Sequence, residues 1–217
     1  MDFYPLYNSL RIALFSSVIV FFTGIFFASY VSKLPRIVKG IIDVFLTLPL
    51  VLPPTVCGYF LLLAFGLESP IGELLDGYGF RFVMTWYGGI LAASVVAFPL
   101  MYRTARGAFE SFDVTLKEAG MTLGLSNTYI FWHVKMPYCK QGIIAGIVLA
   151  FARALGEYGA TSMLIGYTPG RTATISTTVY QMWRTNNEKE AFVWVMINLA
   201  ISMVVLLAVN LLERKRT

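Results

Sequence analysis

Charge is scarce in this chain. Of 217 residues, 17 are Lys or Arg and 12 are Asp or Glu, 13% together, about half the share usual in soluble domains. One His and two Cys are too few for a four-ligand structural zinc site. Cys57 lies in an apolar run and Cys139 beside a basic cluster, which argues against a bridge between them. No Gly is followed by Lys, so there is no phosphate-cradling P-loop. The single His has no suitably spaced carboxylate pair for company, and no catalytic centre is legible. Carboxylates of the proton-relay kind are nearly missing from the apolar stretches. Asp43 stands at the edge of one, and only Glu157 falls deep within another. Composition therefore excludes a water-soluble globule, a disordered chain, collagen and a disulfide scaffold.

What the chain has instead is long apolar runs. It is 57% hydrophobic, with a mean hydropathy of +0.69. Between Arg11 and Lys33 lie 21 uncharged residues, between Asp43 and Glu68 24, and between Arg81 and Arg103 another 21. At about 1.5 Å per helical residue each reaches across a bilayer core of about 30 Å. A fourth run follows Lys140 to about Tyr167, interrupted by Arg153 and Glu157, and a fifth extends from Ala191 to Leu212. The first run is longer than a signal-peptide core and no small-x-small site follows it, so it reads as an uncleaved span. The expected fold is an all-α integral membrane protein of five spans, one transmembrane domain over residues 1–217.

Lys and Arg set the expected orientation. The loop after span one, the region between spans three and four, and the tail Arg214, Lys215 and Arg216 hold eleven of them. The opposite loops hold five. The richer side is predicted cytoplasmic, which puts the N-terminus outside and the C-terminus inside. This topology explains the basic excess, so no nucleic-acid partner is implied.

Residues 103–140 are too polar to span. Thr115 and Glu118 fit a capping box, so a helix is expected to start near Thr115 and end at Gly124. Ser126 can cap a second helix, with Pro137 as its stop signal. Ile130, Phe131 and Val134 give that helix an apolar face. Periodicity alone fits an amphipathic hairpin on the membrane surface equally well.

The stretch Glu118-Ala119-Gly120, three residues, Gly124, nine residues, Val134, one residue, Met136-Pro137 resembles the EAA loop of ATP-binding-cassette importer membrane subunits. The spacing agrees throughout, with Gly120, Val134 and Met136 as mild departures from Ala, Ile and Leu. The resemblance extends to Leu48-Pro49-Leu50-Val51-Leu52-Pro53-Pro54-Thr55, to the run from Phe151 to Thr161, and to Pro169-Gly170-Arg171-Thr172. These segments are similar to molybdate and tungstate importer permeases. Sulfate permeases share the first two in looser form.

The resemblance implies a type I importer permease in the cell membrane, working as a homodimer with a route on its two-fold axis. It implies two cytoplasmic ATPase subunits, which bind the ATP and Mg, and an external molybdate- or tungstate-binding protein. The chain itself would hold no cofactor and no metal and would not be a catalyst. The loop, about 111–138, would dock on the ATPase by helix-in-groove recognition. Glu118, Ala119, Gly120, Gly124, Val134 and Pro137 are the residues it assigns to that coupling. A sulfate or thiosulfate importer, or a secondary anion transporter, is the alternative.

Pathway candidates come from the spans. Pro49, Pro53 and Pro54 interrupt span two and predict a bent helix, beside the route or as a packing kink. Arg153 and Glu157 are four apart and share a helix face. They are expected to form an ion pair rather than an anion site, because either charge alone in a bilayer is costly. Gly156 and Gly159, with Ala160, permit close helix approach, at a gate or in ordinary packing. Outside, segments 68–81 and 167–190 form the expected docking surface, with Arg171, Arg184 and Lys189 as candidates for the binding protein. Trp183 and Trp194 are expected in an interfacial aromatic belt.

Overall fold

The computed structural model describes residues 2–214, with side chains through Leu207. All regular structure among them is helical. The order is α1 (Tyr4–Val31), α2 (Arg36–Val51), α3 (Pro54–Phe65), α4 (Pro70–Gly77), α5 (Trp86–Glu110) and α6 (Val114–Thr122). It continues with α7 (Asn127–Ile130), a π-turn (Phe131–Lys135), α8 (Met136–Leu155), α9 (Gly159–Ile165), α10 (Ile175–Arg184) and α11 (Glu188–Arg214). The basic tail Arg214, Lys215 and Arg216 lies outside the described side chains.

Among the described residues, four helical stretches are long and apolar enough to cross a membrane: α1, α5, the continuous run Asn127–Leu155, and α11. The pair α2–α3 makes a fifth if its two halves count as one span. Local chemistry sets the helix starts. Proline occupies the first turn of α1, α3, α4 and α8, where a missing N–H costs nothing. Ser69 Oγ accepts from Gly72 N at 2.9 Å and begins α4.

The centre is a packing of α1, α5 and α8. A Cβ on Gly24 would lie 2.6 Å from Met101 Cγ, and one on Gly89 2.6 Å from Ile12 Cδ1. Both residue numbers rise together, so α1 and α5 run parallel. A Cβ on Gly142 would lie 2.7 Å from Ala108 Cβ, and one on Gly146 3.0 Å from Met101 Sδ. These numbers run in opposite senses, so α8 is antiparallel to α5. The seams are lined by wholly buried Ala13, Ala28, Ala92, Ala97, Ala105 and Ala150. Small residues let helix backbones approach where dispersion, not water exclusion, must hold them.

The outer surface is apolar. Phe22, Phe26, Phe45, Val204 and Leu207 are exposed, and α2 buries no residue at all. In water such a surface would aggregate; it suits lipid or a second subunit.

The expected bend in span two is present, and the bounds of spans three and four and the role of Pro137 are corrected. Span two is two helices, bent by 110° between Val51 and Pro54. Pro53 and Pro54 together remove two successive donors, and Leu52, preceding proline, is extended at ψ 141. Span three begins at Trp86 rather than Arg81 and runs on to Glu110. Span four is not one run from Lys140 to Tyr167. It starts at Asn127, stops at Leu155, and resumes as α9. Pro137 does not stop the loop's second helix. The π-turn, in which Met136 N reaches Phe131 O, delivers Pro137 into the first turn of α8, where it needs no donor.

Candidate functional site

The predicted coupling loop is a short exposed helix followed by a tight turn into α7. Asp113 caps α6, its Oδ1 accepting from Thr115 N at 2.9 Å. The expected Thr115–Glu118 capping box is therefore replaced, because a carboxylate two residues upstream takes the orphan donor first. Glu118 and Ala119 are exposed, and Gly120 is buried. A Cβ on Gly120 would meet Ile130 Cδ1 at 3.0 Å, so the third residue of the motif seats α6 on α7.

Gly124 has φ +77 and nothing near its missing Cβ, so glycine is there for its backbone alone. Leu125 N donates to Gly120 O at 3.1 Å and Gly124 N to Met121 O at 3.0 Å, the paired bonds of a Schellman motif. Ser126 caps α7 as expected, its Oγ accepting from Tyr129 N at 3.2 Å. Val134 is half-buried against the core, whereas Pro137 is exposed. Lys135 Nζ lies 4.7 Å from the Phe109 ring centroid, which ties the loop to the end of α5.

Outside the membrane-spanning segments, the Thr115 backbone N–H holds the Asp113 carboxyl below the usual carboxylate range. Beside the α4 end, the Asp76 carboxylate pushes the Arg81 guanidinium further up.

The two helix breaks come together at a second centre. A Cβ on Gly159 would lie 2.9 Å from Pro54 Cβ, and one on Gly58 2.7 Å from Ala160 Cα. The proline break between α2 and α3 is thus sealed against the start of α9. Gly156, which ends α8, has only Ala152 O near, at 3.7 Å. Pro49 lies inside α2, one turn before the bend.

Arg153 and Glu157 form the expected pair at 2.5 Å, with side-chain exposures of 30% and 1%. Glu157 Oε1 also accepts from Ala160 N at 2.7 Å. The buried carboxylate therefore joins the end of α8 to the first turn of α9. Its remaining oxygen satisfies Arg153, as a charge at that depth requires.

At the opposite end from the coupling loop, the start of α1 supports the segment before α10. Asn8 Nδ2 donates to Thr172 O and Ala173 O at 3.1 and 3.0 Å, and Tyr4 Oη to Arg171 O at 2.6 Å. Arg171, Arg184 and Lys189 are all exposed. Trp183 is 62% exposed, in keeping with a belt position. Trp194 is only 1% exposed, which corrects its expected place there.

One polar cluster escaped sequence reading. Tyr102 Oη donates to Asp43 Oδ1 at 2.8 Å. Arg106 pairs with Asp43, and its Nε donates to Glu110 Oε1 at 3.0 Å. Lys39 pairs with the same Glu110. The available signal was the four-residue spacing of Lys39 and Asp43 on one helix and of Tyr102, Arg106 and Glu110 on another. Beside this cluster, Arg103, Thr104, Gly107, Ser111, Tyr138 and Gln141 line an open groove of about 410 Å³ between α5 and α8.

An all-helical bundle with a broken second span and an exposed loop helix defines a class, the type I importer permease. The chain belongs to the binding-protein-dependent transport system inner membrane component family, which matches residues 21–217. It is a multi-pass inner-membrane protein, and permeases of this family work with a substrate-binding protein and ATPase subunits. It is 43% identical over 204 residues to the molybdenum transport system permease protein ModB of Escherichia coli (strain K12), covering 92% of this chain and 89% of that one. It is 34% identical over 216 residues to the putative molybdenum transport system permease protein YvgM of Bacillus subtilis (strain 168), covering 99% and 94%. The inward-facing MetNI methionine ABC transporter shares the fold, with a TM-score of 0.77 at 13% identity over 98% of this chain and 94% of that one.

Proposed function

We propose that residues 1–217 form the permease domain of an ATP-driven importer of molybdate or tungstate, working by alternating access. The observation that carries this reading is the exposed α6, held rigid by Asp113, Gly120 and Gly124 at the end of α5. A short exposed helix rigidly joined to a span is suited to carry force from a partner into the bundle. Glu118 and Ala119 present its outer surface to the ATPase groove, while Gly120, Gly124, Val134 and Pro137 fix the loop's shape. The names of its Escherichia coli and Bacillus subtilis relatives support the anion.

The loop is cytoplasmic in this reading, the N-terminus outside and the C-terminus inside. Two copies enclose the route, with the α2–α3 break and the Arg153–Glu157 junction beside it. ATP and Mg belong to the ATPase pair, and this chain supplies no catalysis. Closure of the pair draws the loops together and opens the cavity outward. A molybdate-binding protein then delivers its anion, docking over Arg171, Arg184 and Lys189, and hydrolysis restores the inward-facing state.

The test is co-purification and transport. The chain is co-expressed with a candidate ATPase, purified by a tag on this chain alone, and reconstituted with the binding protein. Uptake of molybdate and tungstate, but not sulfate, is expected. Preference for sulfate would overturn the anion. Uptake without ATP would overturn the importer mechanism in favour of secondary transport.

A further inference from the structure

The cluster Lys39, Asp43, Tyr102, Arg106 and Glu110 sits at a mechanical junction. Helix α2 buries none of its residues, and only Ile42 and Leu46 pack it, partly buried, against the core. Its firm attachment to α5 is polar. Asp43 receives both the Tyr102 hydroxyl and the Arg106 guanidinium, and Glu110 receives Arg106 and Lys39. Tyr102 is wholly buried, so one end of the cluster is anchored in the central packing. Arg106 and Asp43 side chains are 20% and 24% exposed, enough shelter for the pairing to hold its geometry.

Position gives the cluster its consequence. Glu110 is the last residue of α5, and only Ser111, Phe112 and Asp113 separate it from α6. Phe112 is buried and Lys135 lies over its ring, so this connection is short and pinned. At its far end, α2 leads through the 110° bend into α3, which Gly58 clamps to α9. The broken hairpin is therefore held at two places, one polar and next to the coupling helix, the other close-packed at the break.

We propose that Arg106 is a positioning residue that makes α2 move with the coupling helix, so that ATPase closure reaches the broken span. The proposal rests on the importer reading above. Arg106 touches no substrate in it. The guanidinium ties Asp43 on α2 to α5 and is itself held by Glu110 at the α5 end beside α6; the Lys39–Glu110 pair and the Tyr102–Asp43 bond are weaker links between the same helices. Loss of the Arg106 link leaves the coupling helix docked and the ATPase running, but α2 follows less closely.

The experiment uses the reconstituted complex of this chain, its ATPase and its binding protein. The quantity read is molybdate imported per ATP hydrolysed. Arg106→Gln and Asp43→Asn are each expected to lower that ratio about fivefold or more, with ATPase co-purification intact. Arg106→Lys, which keeps the charge, restores most of the ratio. The double variant falls no lower than Arg106→Gln alone, because both substitutions remove one link. A simple loss of fold would lower assembly and hydrolysis together and leave the ratio of the surviving complex unchanged.

A parental ratio in Asp43→Asn overturns the proposal, whether or not Arg106→Gln assembles. So does additive loss in the double variant. Failure of the unmutated complex to import any oxyanion is a different outcome, seen without a substitution. It removes the importer reading and this proposal with it.

Discussion

The two interrupted regions of this protein use glycine for opposite reasons. Where α3 meets α9, Gly58 and Gly159 have no room: added Cβ atoms would meet Ala160 Cα at 2.7 Å and Pro54 Cβ at 2.9 Å. In the coupling loop Gly124 has open space and a φ of +77. One region is defined by what surrounds it, the other by its own backbone. The first should therefore be intolerant of volume, and the second tolerant of volume but not of a Cβ-bearing backbone. That is a sound division for a machine with a sealed centre and a partner-facing handle.

The largest effect should come from the sealed centre. Gly58→Ala pushes a methyl into the Ala160 backbone, which has no flexible end to yield. Overpacking against backbone stands at the upper end of the usual range, about 3 kcal/mol or more, and Gly58→Leu should prevent recovery of folded protein from the membrane. Thermal unfolding of the detergent-solubilised protein is the measurement. A Gly58→Ala variant as stable as the parent would mean that α3 and α9 separate freely, and the contrast with Gly124 would fail.

Next is the carboxylate that joins α8 to α9. Glu157→Ala leaves Arg153 and Ala160 N without their shared partner. Breaking a buried pair from one side costs about 3–5 kcal/mol, and the 30% exposure of the Arg153 side chain places this case at or below the lower end. Glu157→Gln keeps an acceptor for Ala160 N and should lose less. Arg153→Gln should lower assembly more than apparent anion affinity, compared by equilibrium binding to the purified complex. A large affinity loss with normal assembly would turn the pair from a strut into an anion site.

Gly124→Ala follows. With open space around it, the cost is conformational alone, about 1–2 kcal/mol for the left-handed backbone. Global stability should barely change, yet α6 loses its Schellman bonds to Gly120 and Met121, and ATPase co-purification should fall. Gly124→Asn, which tolerates this backbone better, should recover part of it. Equal failure of Ala and Asn would show that the surroundings matter after all.

Much of this division was legible in the residues, and the rest was hidden for physical reasons. The charge-free runs located the membrane stretches, and the paired prolines at 53 and 54 marked the bend. Ser126, Gly124 and the Arg153–Glu157 spacing announced their bonds correctly. Three features were not legible. Pro137 reads as a stop because a one-dimensional pattern contains no π-turn to absorb it. Trp194 reads as interfacial from its place near a helix start, whereas its burial depends on tertiary packing that no local pattern records. The Asp43–Arg106 link joins residues 63 apart, and no local period connects them.

The smallest effect concerns the cap of the coupling helix. The Thr115 backbone N–H keeps the Asp113 carboxyl below its ordinary range in the folded protein. A carboxylate depressed by folding contributes above its unfolded pKa and loses that contribution as pH falls through the folded value. At neutral pH the cap is therefore complete, and acidification below the usual carboxylate range should loosen α6 before the sealed centre responds. Amide hydrogen exchange is the direct measurement, once exchange rates are corrected for pH. Protection in the first turn of α6 should fall with acid, while amides near Gly58 and Ala160 keep theirs. Asp113→Asn should abolish the pH dependence while retaining a capping oxygen, and Asp113→Ala should show low protection at every pH. If protection fell at the same pH in α6 and at the α3–α9 seam, the handle and the sealed centre would be one cooperative unit. The different uses of glycine would then be differences of local geometry only, without a mechanical boundary between them.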